Sequence, residues 1–376
     1  MGALDWLGTV FAILAAIGCG YQLFAAFAVQ RFFAQPLATA KSGEAVTILK
    51  PLHGDEPRLA ANLATCLDQD YGGHVQMVCG VRDPHDRAIE VVRGLQADNS
   101  TSAIDLVVEP AAHGANAKIA NLINMLPKAR HDIIILCDSD MAVGRDYLST
   151  ILGALDEPEV GAVTCLYRGR ADAGWWSRVA AGTISYAALP DIVVGLTTGL
   201  ARPCMGSTIA LRRQTLAMIG GFERFAEVLA DDYEIGQAVA AAGLRVTIPP
   251  LLLVHACDDG GLGSLWRHHL RWATTIRRLM PAGYAGSIVS NPFPLALLAS
   301  TFVPSWAAPI VLLSLVARFI LARSVDRLAG TSTATLWLLP VIDCLKFAVF
   351  VASFFVTTVD WRGARYTVAA DGGITA

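Results

Sequence analysis

Charged side chains are scarce in this chain of 376 residues: they make up 16% of it, whereas hydrophobic residues make up 54%. Soluble domains usually carry about a quarter charged residues, and the mean hydropathy here is +0.48. Part of the chain is therefore expected to lie in lipid. The formal net charge is −3, which gives no reason to expect a nucleic-acid partner.

Several signatures of nucleotide, hydrolase and metal sites are also missing. Neither GxxxxGK[ST] nor GxGxxG follows a predicted strand, and GxSxG does not occur; P-loop, dinucleotide-binding and nucleophile-elbow sites are thereby excluded. The eight cysteines contain no CxxC pair, so neither a zinc site nor a disulfide framework is indicated. A reducing, cytosol-facing compartment fits this cysteine usage best.

The first long uncharged run extends from Trp6 to Gln30 and exceeds the roughly 20 apolar residues that span a bilayer core. Asp5 is the charged residue before it, whereas a cleaved signal peptide carries a positive region there. We therefore predict a retained transmembrane anchor over residues 1–40. Arg31 and Lys41 follow the run, and such basic residues favour the cytoplasmic side.

Residues 291–376 are predicted to form a C-terminal transmembrane region with two hydrophobic blocks. The first block, residues 291–317, contains Pro304 and Pro309; it is either one kinked span or two shorter helices in a re-entrant hairpin. The second block, residues 333–359, contains Asp343 and Lys346. Pairing on one helix would reduce the cost of burying these two charges; a contact with a lipid headgroup is the alternative.

Residues 41–260 alternate between β-branched runs and helical patterns. This alternation predicts an α/β domain with a mostly parallel sheet and helices on both faces. In such sheets ligands bind beyond the carboxyl ends of the strands, and Lys50, Asp83 and Asp138 stand at such ends. The predicted strands include AVTILK (45–50), VQMVCGV (75–81), AIDLVVE (103–109), DIIILCD (132–138) and VGAVTCLY (160–167).

Two carboxylates, Asp138 and Asp140, follow an apolar run with one serine between them. If they continue the strand, their side chains point the same way, and like charges that close need a positive group between them. A hard cation, Mg²⁺ or Mn²⁺, held by few carboxylates and by ligand phosphates suits this arrangement. The alternative is a solvated turn, or a capping pair for a helix that begins near Arg145.

Four further polar residues are ambiguous from their local pattern. In LADDYE (229–234), the spacing by itself favours Asp231 and Asp232 as helix N-caps. Lys118, in NAKIANL, has the pattern of a solvated helix lysine, with a phosphate contact as the alternative. His255 follows a strand-like run, which favours a buried, hydrogen-bonded histidine over a metal ligand.

Residues 261–290 are predicted to form an amphipathic interface helix. Its basic positions recur on one face, and its apolar positions recur on another at steps of three and four residues. Such a helix next to a membrane block should lie in the interface plane; packing on the α/β domain is the alternative. The apolar positions are Leu262, Trp266, Leu270 (or His269), Ala273, Ile276 and Met280, and the others are Arg267, Arg271, Thr275 and Arg278.

Taken in order, several motifs resemble those of ceramide glucosyltransferases, a family that includes bacterial hopanoid-biosynthesis glycosyltransferases. The resemblance implies a GT-A fold, a divalent cation (Mg²⁺ or Mn²⁺), a UDP-sugar donor and a membrane-lipid acceptor. The chain length and the HHLRW variant favour the bacterial branch of this family, and the basic residues after the first run favour a cytoplasmic catalytic domain. We therefore expect a location in a bacterial inner membrane. The motifs are ILKPLHGDEP, NLATCLDQDY, VRDPHDRAIEV, NAKIANL, CDSDMAV, GGFERFAEVLADDYEIG, HHLRWATTIRRLMP and DWRGARY.

The resemblance assigns roles to individual residues. Asp83 falls near the base and ribose of the nucleotide, Asp138 and Asp140 form the metal-binding DxD, and Asp232 is the general base. In HHLRW, Arg271 and Trp272 match the family's (Q/R)xxRW motif, whereas His268 replaces its first residue. Lys50, Lys118 and His268 complete the predicted donor-binding set.

The function predicted from these residues is transfer of a sugar from a UDP-sugar to a hydroxyl of a membrane lipid, ceramide or hopanoid, with inversion. A processive polysaccharide synthase uses similar motifs, but three or four predicted spans are few for a channel. A metal-dependent lipid phosphodiesterase would need clustered histidines and aspartates, whereas the eight histidines are dispersed. A membrane scaffold or transporter would leave the strand-end carboxylates unexplained.

Overall fold

The computed structural model describes residues 2–40, 43–54, 56–361, 364–368 and 374–375. Lys41, and Arg362 and Gly363 of the DWRGARY motif, lie outside these residues. The strands are β1 (Val46–Pro51), β2 (Val75–Val81), β3 (Ala103–Val108), β4 (Ile133–Cys137), β5 (Met141–Ala142), β6 (Val160–Thr164), β7 (Leu166–Ala171), β8 (Thr208–Arg212), β9 (Arg245–Thr247), β10 (Leu252–Cys257), β11 (Thr358–Trp361), β12 (Ala364–Val368) and β13 (Ile374–Thr375).

Most of the α-helices precede β10 and are interspersed with the strands, whereas the others follow one another after it. They are α1 (Ala3–Phe33), α2 (Leu59–Thr65), α3 (Ala88–Asp98), α4 (Ala117–Met125), α5 (Tyr147–Leu155), α6 (Trp175–Thr183), α7 (Leu189–Thr198), α8 (Arg213–Met218), α9 (Asp231–Ala241), α10 (Leu262–Leu279), α11 (Pro281–Gly286), α12 (Pro292–Phe302), α13 (Pro304–Ala329) and α14 (Leu339–Ser353).

The central sheet has seven strands in the order β3-β2-β1-β4-β8-β6-β9. Its neighbours pair in parallel except at β8, which is antiparallel to both β4 and β6. One apolar layer packs helices α2, α3 and α5 on the sheet through residues such as Leu63, Val92 and Ile151. A second layer includes Ile119 of α4 and Ile235 of α9. The predicted mostly parallel sheet, covered on both faces, is confirmed.

The segment VGAVTCLY was expected to be one strand, and this is wrong. The Thr164 hydroxyl donates to the Met205 carbonyl and accepts from the Met205 amide, and β6 ends at this residue. After Cys165 the chain enters β7, which belongs to a second sheet of order β5-β10-β7. This small sheet places β10 beside β5, directly after the two predicted metal-binding aspartates.

Within the described residues, four helical segments are long and apolar enough to cross a membrane: 4–33, 175–198, 307–329 and 336–353. Segment 175–198 lies inside the predicted catalytic domain and was not predicted as a span. It joins α6 to α7 through a π-helical turn, Ile184–Ala188, and most of it is buried inside the protein.

The C-terminal blocks differ from their predicted outlines. Residues 291–317 fall in two helices that meet at Val303 and not in one kinked span. The second helix, α13, continues to Ala329 and contains the candidate span 307–329, so it is longer than the short helix of the expected re-entrant hairpin. The expected pairing of Asp343 with Lys346 is wrong, because each finds a partner on another helix. Asp343 lies 2.6 Å from Arg318, and Lys346 lies 2.9 Å from Asp191.

Candidate functional site

The carboxylates of Asp138 and Asp140 lie in a turn rather than in a strand. Because β4 ends at Cys137, the expected strand alternation does not apply to them. Neither residue caps α5, whose N-cap is Asp146. Each carboxylate has its own basic partner: the Lys118 Nζ atom lies 2.6 Å from Asp138 Oδ1, and His255 Nε2 lies 3.1 Å from Asp140 Oδ2.

Lys118 is positioned by the cap of α4. The Asn116 side-chain oxygen accepts hydrogen bonds from the amides of Lys118 and Ile119, which fixes the first turn of the helix. The Asn116 amide group also donates to Asp231 Oδ1 at 3.1 Å. The Lys118 side chain is 14% exposed, and its Nζ lies 3.9 Å from Asp231 Oδ2. It is therefore a partly buried cation among carboxylates, and the interpretation as a solvated helix lysine is wrong.

Asp231 and Asp232 open α9, but neither is its N-cap, which is Ala230. Asp232 accepts hydrogen bonds from the amides of Tyr233 and Gly206, both at 2.8 Å. Burial, together with the charge of Asp231, raises the pKa of Asp232. A carboxylate with a raised pKa is a better proton acceptor than a solvated one, so Asp232 has the chemistry of a general base.

Gly206 lets the backbone approach both charged groups. A Cβ atom at this position would lie 3.1 Å from Lys118 Nζ and 3.2 Å from Asp232 Oδ2. The Lys118 ammonium also donates to the Gly206 carbonyl at 3.3 Å. The CMGSTIALRR segment therefore contributes backbone, rather than side chains, to this part of the site.

His255 is held beside Asp140 by the pairing of β10 with β5, in which it lies opposite Met141. Its ring stacks on Tyr167 with a centroid distance of 5.5 Å. Burial alone would lower the pKa of His255, but the Asp140 carboxylate outweighs this effect and the pKa lies well above its usual value. The interpretation as a hydrogen-bonded, largely buried histidine agrees with this geometry.

Lys50 lies beneath the turn and is fully buried. Its ammonium donates to the Asp138 carbonyl at 2.9 Å and to Cys137 Sγ at 3.1 Å. In the described contacts, Lys50 binds the backbone of the DxD turn and not its carboxylates. It therefore fixes the position of the Asp138 backbone.

Asp83 is exposed in the loop after β2, where its carboxylate accepts from the His85 amide at 2.8 Å. Because β2 is two positions from β4 in the sheet, Asp83 lies on the same carboxyl edge, about 10 Å away at the usual strand spacing. At this spacing, Asp83 and the DxD turn can contact different parts of one extended ligand.

The predicted amphipathic helix is α10, which carries His268, Arg271 and Trp272 but ends at Leu279. The rest of the predicted segment 261–290 forms α11 and a short 3-10 helix, Ser287–Ser290. Its Leu265 and Ala273 are buried, whereas Leu262 and Ile276 are exposed. One face thus packs on the protein, and part of the predicted apolar face remains accessible. The rings of His268 and Trp272 meet edge to face at 4.2 Å, and His268 Nδ1 lies 3.5 Å from Asp259.

A polar cavity lies between the first half of α10, at His268, and the DxD turn, at Asp140. Glu56 lies in it, and the sequence analysis did not single this residue out. Burial and the nearby Asp140 raise the pKa of Glu56 to about 7, although the Ser139 hydroxyl donates to it at 2.8 Å. Its position just after β1 was the available signal, because the same strand-end rule selected Lys50. The cavity is lined by Glu56, Pro57, Asp140, His255, Ala256, Cys257, Asp258, Asp259 and His268.

The donor atoms around the turn fit a divalent cation that also has phosphate ligands. Asp140 Oδ1 is buried without a hydrogen-bond partner, and such an oxygen is available for coordination. No group of three or more His, Cys, Asp or Glu side chains with metal-binding geometry occurs in the described part of the chain. Mg²⁺ is commonly held by one or two carboxylates together with substrate phosphates, so Asp138 and Asp140 would hold it only together with the donor.

The fold is that of a solved sugar-transferring enzyme. The structure is similar to the mannosyltransferase PcManGT from Pyrobaculum calidifontis in complex with GDP-Man and Mn²⁺, with a TM-score of 0.52 and 21% sequence identity. The similarity covers 93% of this chain and 99% of that one. The sheet, its covering helices and this similarity define a GT-A glycosyltransferase fold.

Residues 10–374 match the family model Glycosyl transferase family 21, and the chain belongs to that family. It is 26% identical over 207 residues to ceramide glucosyltransferase 1 of Caenorhabditis elegans, which covers 54% of this chain and 43% of the relative. It is 23% identical over 262 residues to poly-beta-1,6-N-acetyl-D-glucosamine synthase of Staphylococcus aureus, which covers 68% of this chain and 60% of the relative. The chain thus spans less than two thirds of either relative.

Proposed function

We propose that this protein transfers one sugar from a UDP-sugar to a hydroxyl group of a membrane lipid, ceramide or hopanoid, with inversion at the anomeric carbon. The observation that carries the proposal is the position of the carboxylate cluster. Asp138, Asp231 and Asp232 lie around Lys118. Asp140 lies two residues beyond Asp138, and the polar cavity leads from it to an amphipathic helix beside candidate membrane spans.

The donor would lie along the carboxyl edge of the sheet. Asp83 would contact the base and ribose, and the diphosphate would lie beside the DxD turn with Lys118 within reach. A divalent cation held there by Asp138 and Asp140 would neutralise phosphate charge. Lys50, buried below, would keep the turn in place through the Asp138 carbonyl.

The reaction needs one general base and no protein nucleophile. Asp232 would take the proton of the acceptor hydroxyl while its oxygen attacks the anomeric carbon and the bond to the diphosphate breaks. A single displacement of this kind inverts the anomeric configuration. Arg271 would stabilise the negative charge that grows on the leaving diphosphate, assisted by His268 in the same motif.

The acceptor side is inferred from the membrane-associated elements. Four candidate spans and the exposed apolar positions of α10 support a protein embedded in a bilayer, which we assign to a bacterial inner membrane with the catalytic domain in the cytoplasm. Trp272, whose amphipathic ring suits an interface, would line the entry where lipid meets sugar. The similarity to a ceramide glucosyltransferase supports this class of acceptor.

A polysaccharide synthase is the second candidate, because the chain is also similar to a poly-beta-1,6-N-acetyl-D-glucosamine synthase. The two functions differ in their products. A lipid glycosyltransferase adds one sugar to a lipid, whereas a synthase extends a sugar chain.

The test is an assay of the purified full chain in detergent with extracted bacterial lipids, ceramide and a hopanoid polyol, each supplied with several UDP-sugars. Mass spectrometry of the products should show a lipid heavier by one sugar residue and stoichiometric release of UDP. A polymeric product would favour the synthase instead. Release of UDP without a glycosylated lipid would contradict the proposed acceptor.

A further inference from the structure

An open, almost wholly apolar groove of about 600 Å³ lies outside the carboxylate cluster. Helices α6, α10, α12 and α14 each contribute to its walls through Trp176, Leu262, Leu297 and Val341, respectively. Its volume is in the range of small-molecule pockets. Such pockets usually add a few polar groups for orientation, whereas the exposed surface in this groove is almost entirely apolar. Its lining therefore suits a hydrocarbon chain and not a polar ligand.

The groove is lined in part by residues of two candidate membrane spans. Val341 and Cys344 lie in segment 336–353, one of the candidate spans, and Trp176 lies in segment 175–198. Leu297 and Val341 are each 38% exposed although the groove is apolar. Large exposed apolar side chains on spanning helices are normal where they contact lipid tails.

The groove is also next to the polar cavity of the active site. Asp259 lines the cavity and Leu262 lines the groove, so only two residues separate them along the chain. On α10, His268 of the cavity is six residues beyond Leu262, a rise of about 9 Å. A lipid with a chain in the groove would therefore present its polar end to the cavity that contains Asp140, His255 and His268.

We infer that this groove binds a hydrocarbon chain of the acceptor lipid and so holds the acceptor hydroxyl at the mouth of the active site. The inference rests on the proposed function, because it assigns a binding site to the acceptor named there. Its physical basis is that the apolar groove on the candidate spans lies next to the polar cavity, which is lined by carboxylates and histidines. Burial of the chain supplies affinity, and the fixed distance to the cavity selects lipids with a hydroxyl close to the chain.

The test fills the groove and compares the result with a matched substitution elsewhere on the same helix. Val341→Trp places an indole in the groove. Val351→Trp makes the same change at a site on α14 that does not line it, and the two valines are 38% and 41% exposed. Both full-length variants are assayed in mixed micelles with the lipid that the wild type uses, and UDP binding is measured separately.

We expect Val341→Trp to raise the KM for the lipid about tenfold, as expected when roughly two chain methylene groups lose their burial. UDP binding should not change, and Val351→Trp should behave like the wild type. Equal lipid KM values for both variants and the wild type would overturn the groove assignment and leave the proposed function standing. If the wild type glycosylates no lipid, the proposed function fails, and the groove assignment fails with it.

A chemical modification avoids any effect of substitution on folding. Cys344 lines the groove and is exposed, whereas the other seven cysteines are buried. A hexyl methanethiosulfonate added to the folded protein should attach at Cys344 and inhibit lipid glycosylation, with relief at high lipid concentration. In the Cys344→Ala variant, the rates measured with and without the reagent should be equal, because the reagent has no thiol to modify in the groove. Full activity of the labelled wild type would contradict the inference.

Discussion

Lys118 Nζ lies 2.6 Å from Asp138 Oδ1 and 3.9 Å from Asp231 Oδ2, so one ammonium group bridges the two acidic motifs of the site. The bridge joins the DxD turn after β4 to the start of α9, which lie far apart in the sequence. A buried carboxylate without a partner is costly, and Lys118 offsets that cost where two carboxylates meet. In the proposed function, the same cation would also contact the diphosphate of the donor.

The Lys118→Gln variant should lose stability, because the substitution leaves Asp138 and Asp231 without their shared cation. In chelator, we expect the variant to melt at a lower temperature than the wild type. With saturating Mn²⁺ and UDP, the difference between the two melting temperatures should be smaller, because Mn²⁺ would replace the missing positive charge. Differential scanning fluorimetry in detergent measures both. An equal loss under the two conditions would show that Lys118 and the cation do not serve the same carboxylates.

Turnover should depend on a divalent cation held at Asp138 and Asp140. An excess of chelator should abolish sugar transfer, and Mg²⁺ or Mn²⁺ should restore it. The Asp138→Asn variant should lose activity and bind UDP more weakly in the presence of Mn²⁺. The substitution replaces one carboxylate oxygen by an amide nitrogen and removes the negative charge that would bind the metal. Isothermal titration of UDP with and without Mn²⁺ measures the dependence. Full activity in chelator would remove the metal from the mechanism.

The general base can be located by comparing two adjacent variants. Asp232→Asn should fold and bind donor but lose at least about 10²-fold in kcat, the usual effect of removing a general base. Asp231→Asn should mainly weaken the link to Asn116 and Lys118, with a smaller effect on kcat. If Asp231→Asn is the more damaging change in kcat, the base is Asp231.

Arg271 should act on the transfer step and Trp272 on binding of the lipid, and neither should be needed for folding. In Arg271→Lys the charge remains but the planar group that can contact two phosphate oxygens is lost, so kcat should fall while donor binding changes little. Trp272→Ala removes the ring next to His268 and should raise the KM for the lipid. Near-normal kinetics in both variants would leave α10 as a membrane-interface helix alone.

The carboxyl group of Glu56 should make the metal-free protein less stable as the pH rises. Its pKa is raised to about 7 in the folded protein, whereas an unfolded chain gives roughly 4.3. Between these two pH values the folded protein keeps the Glu56 proton, whereas the unfolded chain releases it. The stability that this proton contributes is lost as the pH rises through 7. The melting temperature of Glu56→Gln minus that of the wild type, measured in chelator, should increase from pH 5 to pH 8. A constant difference would contradict the raised pKa.

The sequence predicted the catalytic sheet well, because its signals are local. Apolar strands ending in Lys50, Asp83 and Asp138 indicated a common edge, and the structure places all three there. The partners of those residues were not predictable in the same way. That Lys118 contacts Asp138, and that His255 contacts Asp140, depends on which strands are neighbours, and only the pairing of β10 with β5 brings His255 to the turn.

Two errors in the membrane region have a similar origin. Asp343 and Lys346 satisfy a helix-spacing rule, but packing between helices offered each a closer partner on another element. Segment 175–198 escaped prediction because it lies within the catalytic domain and contains Asp191 and Arg178. Much of it is buried in the protein, so its apolar character serves packing as well as contact with lipid.

The packing of α1 against α12 and α13 has a consequence for biosynthesis. Ala12 is buried with Ala299 and Ala307, and a Cβ on Gly8 would lie 2.7 Å from the Phe302 Cβ, so the fit depends on small residues. At usual translation rates, the ribosome needs about 15 to 60 s to reach the partners of α1. In the proposed membrane arrangement, α1 would thus enter the bilayer well before α12 and α13 are synthesised. A chain truncated before α12 would leave α1 inserted but without the helices that complete its packing.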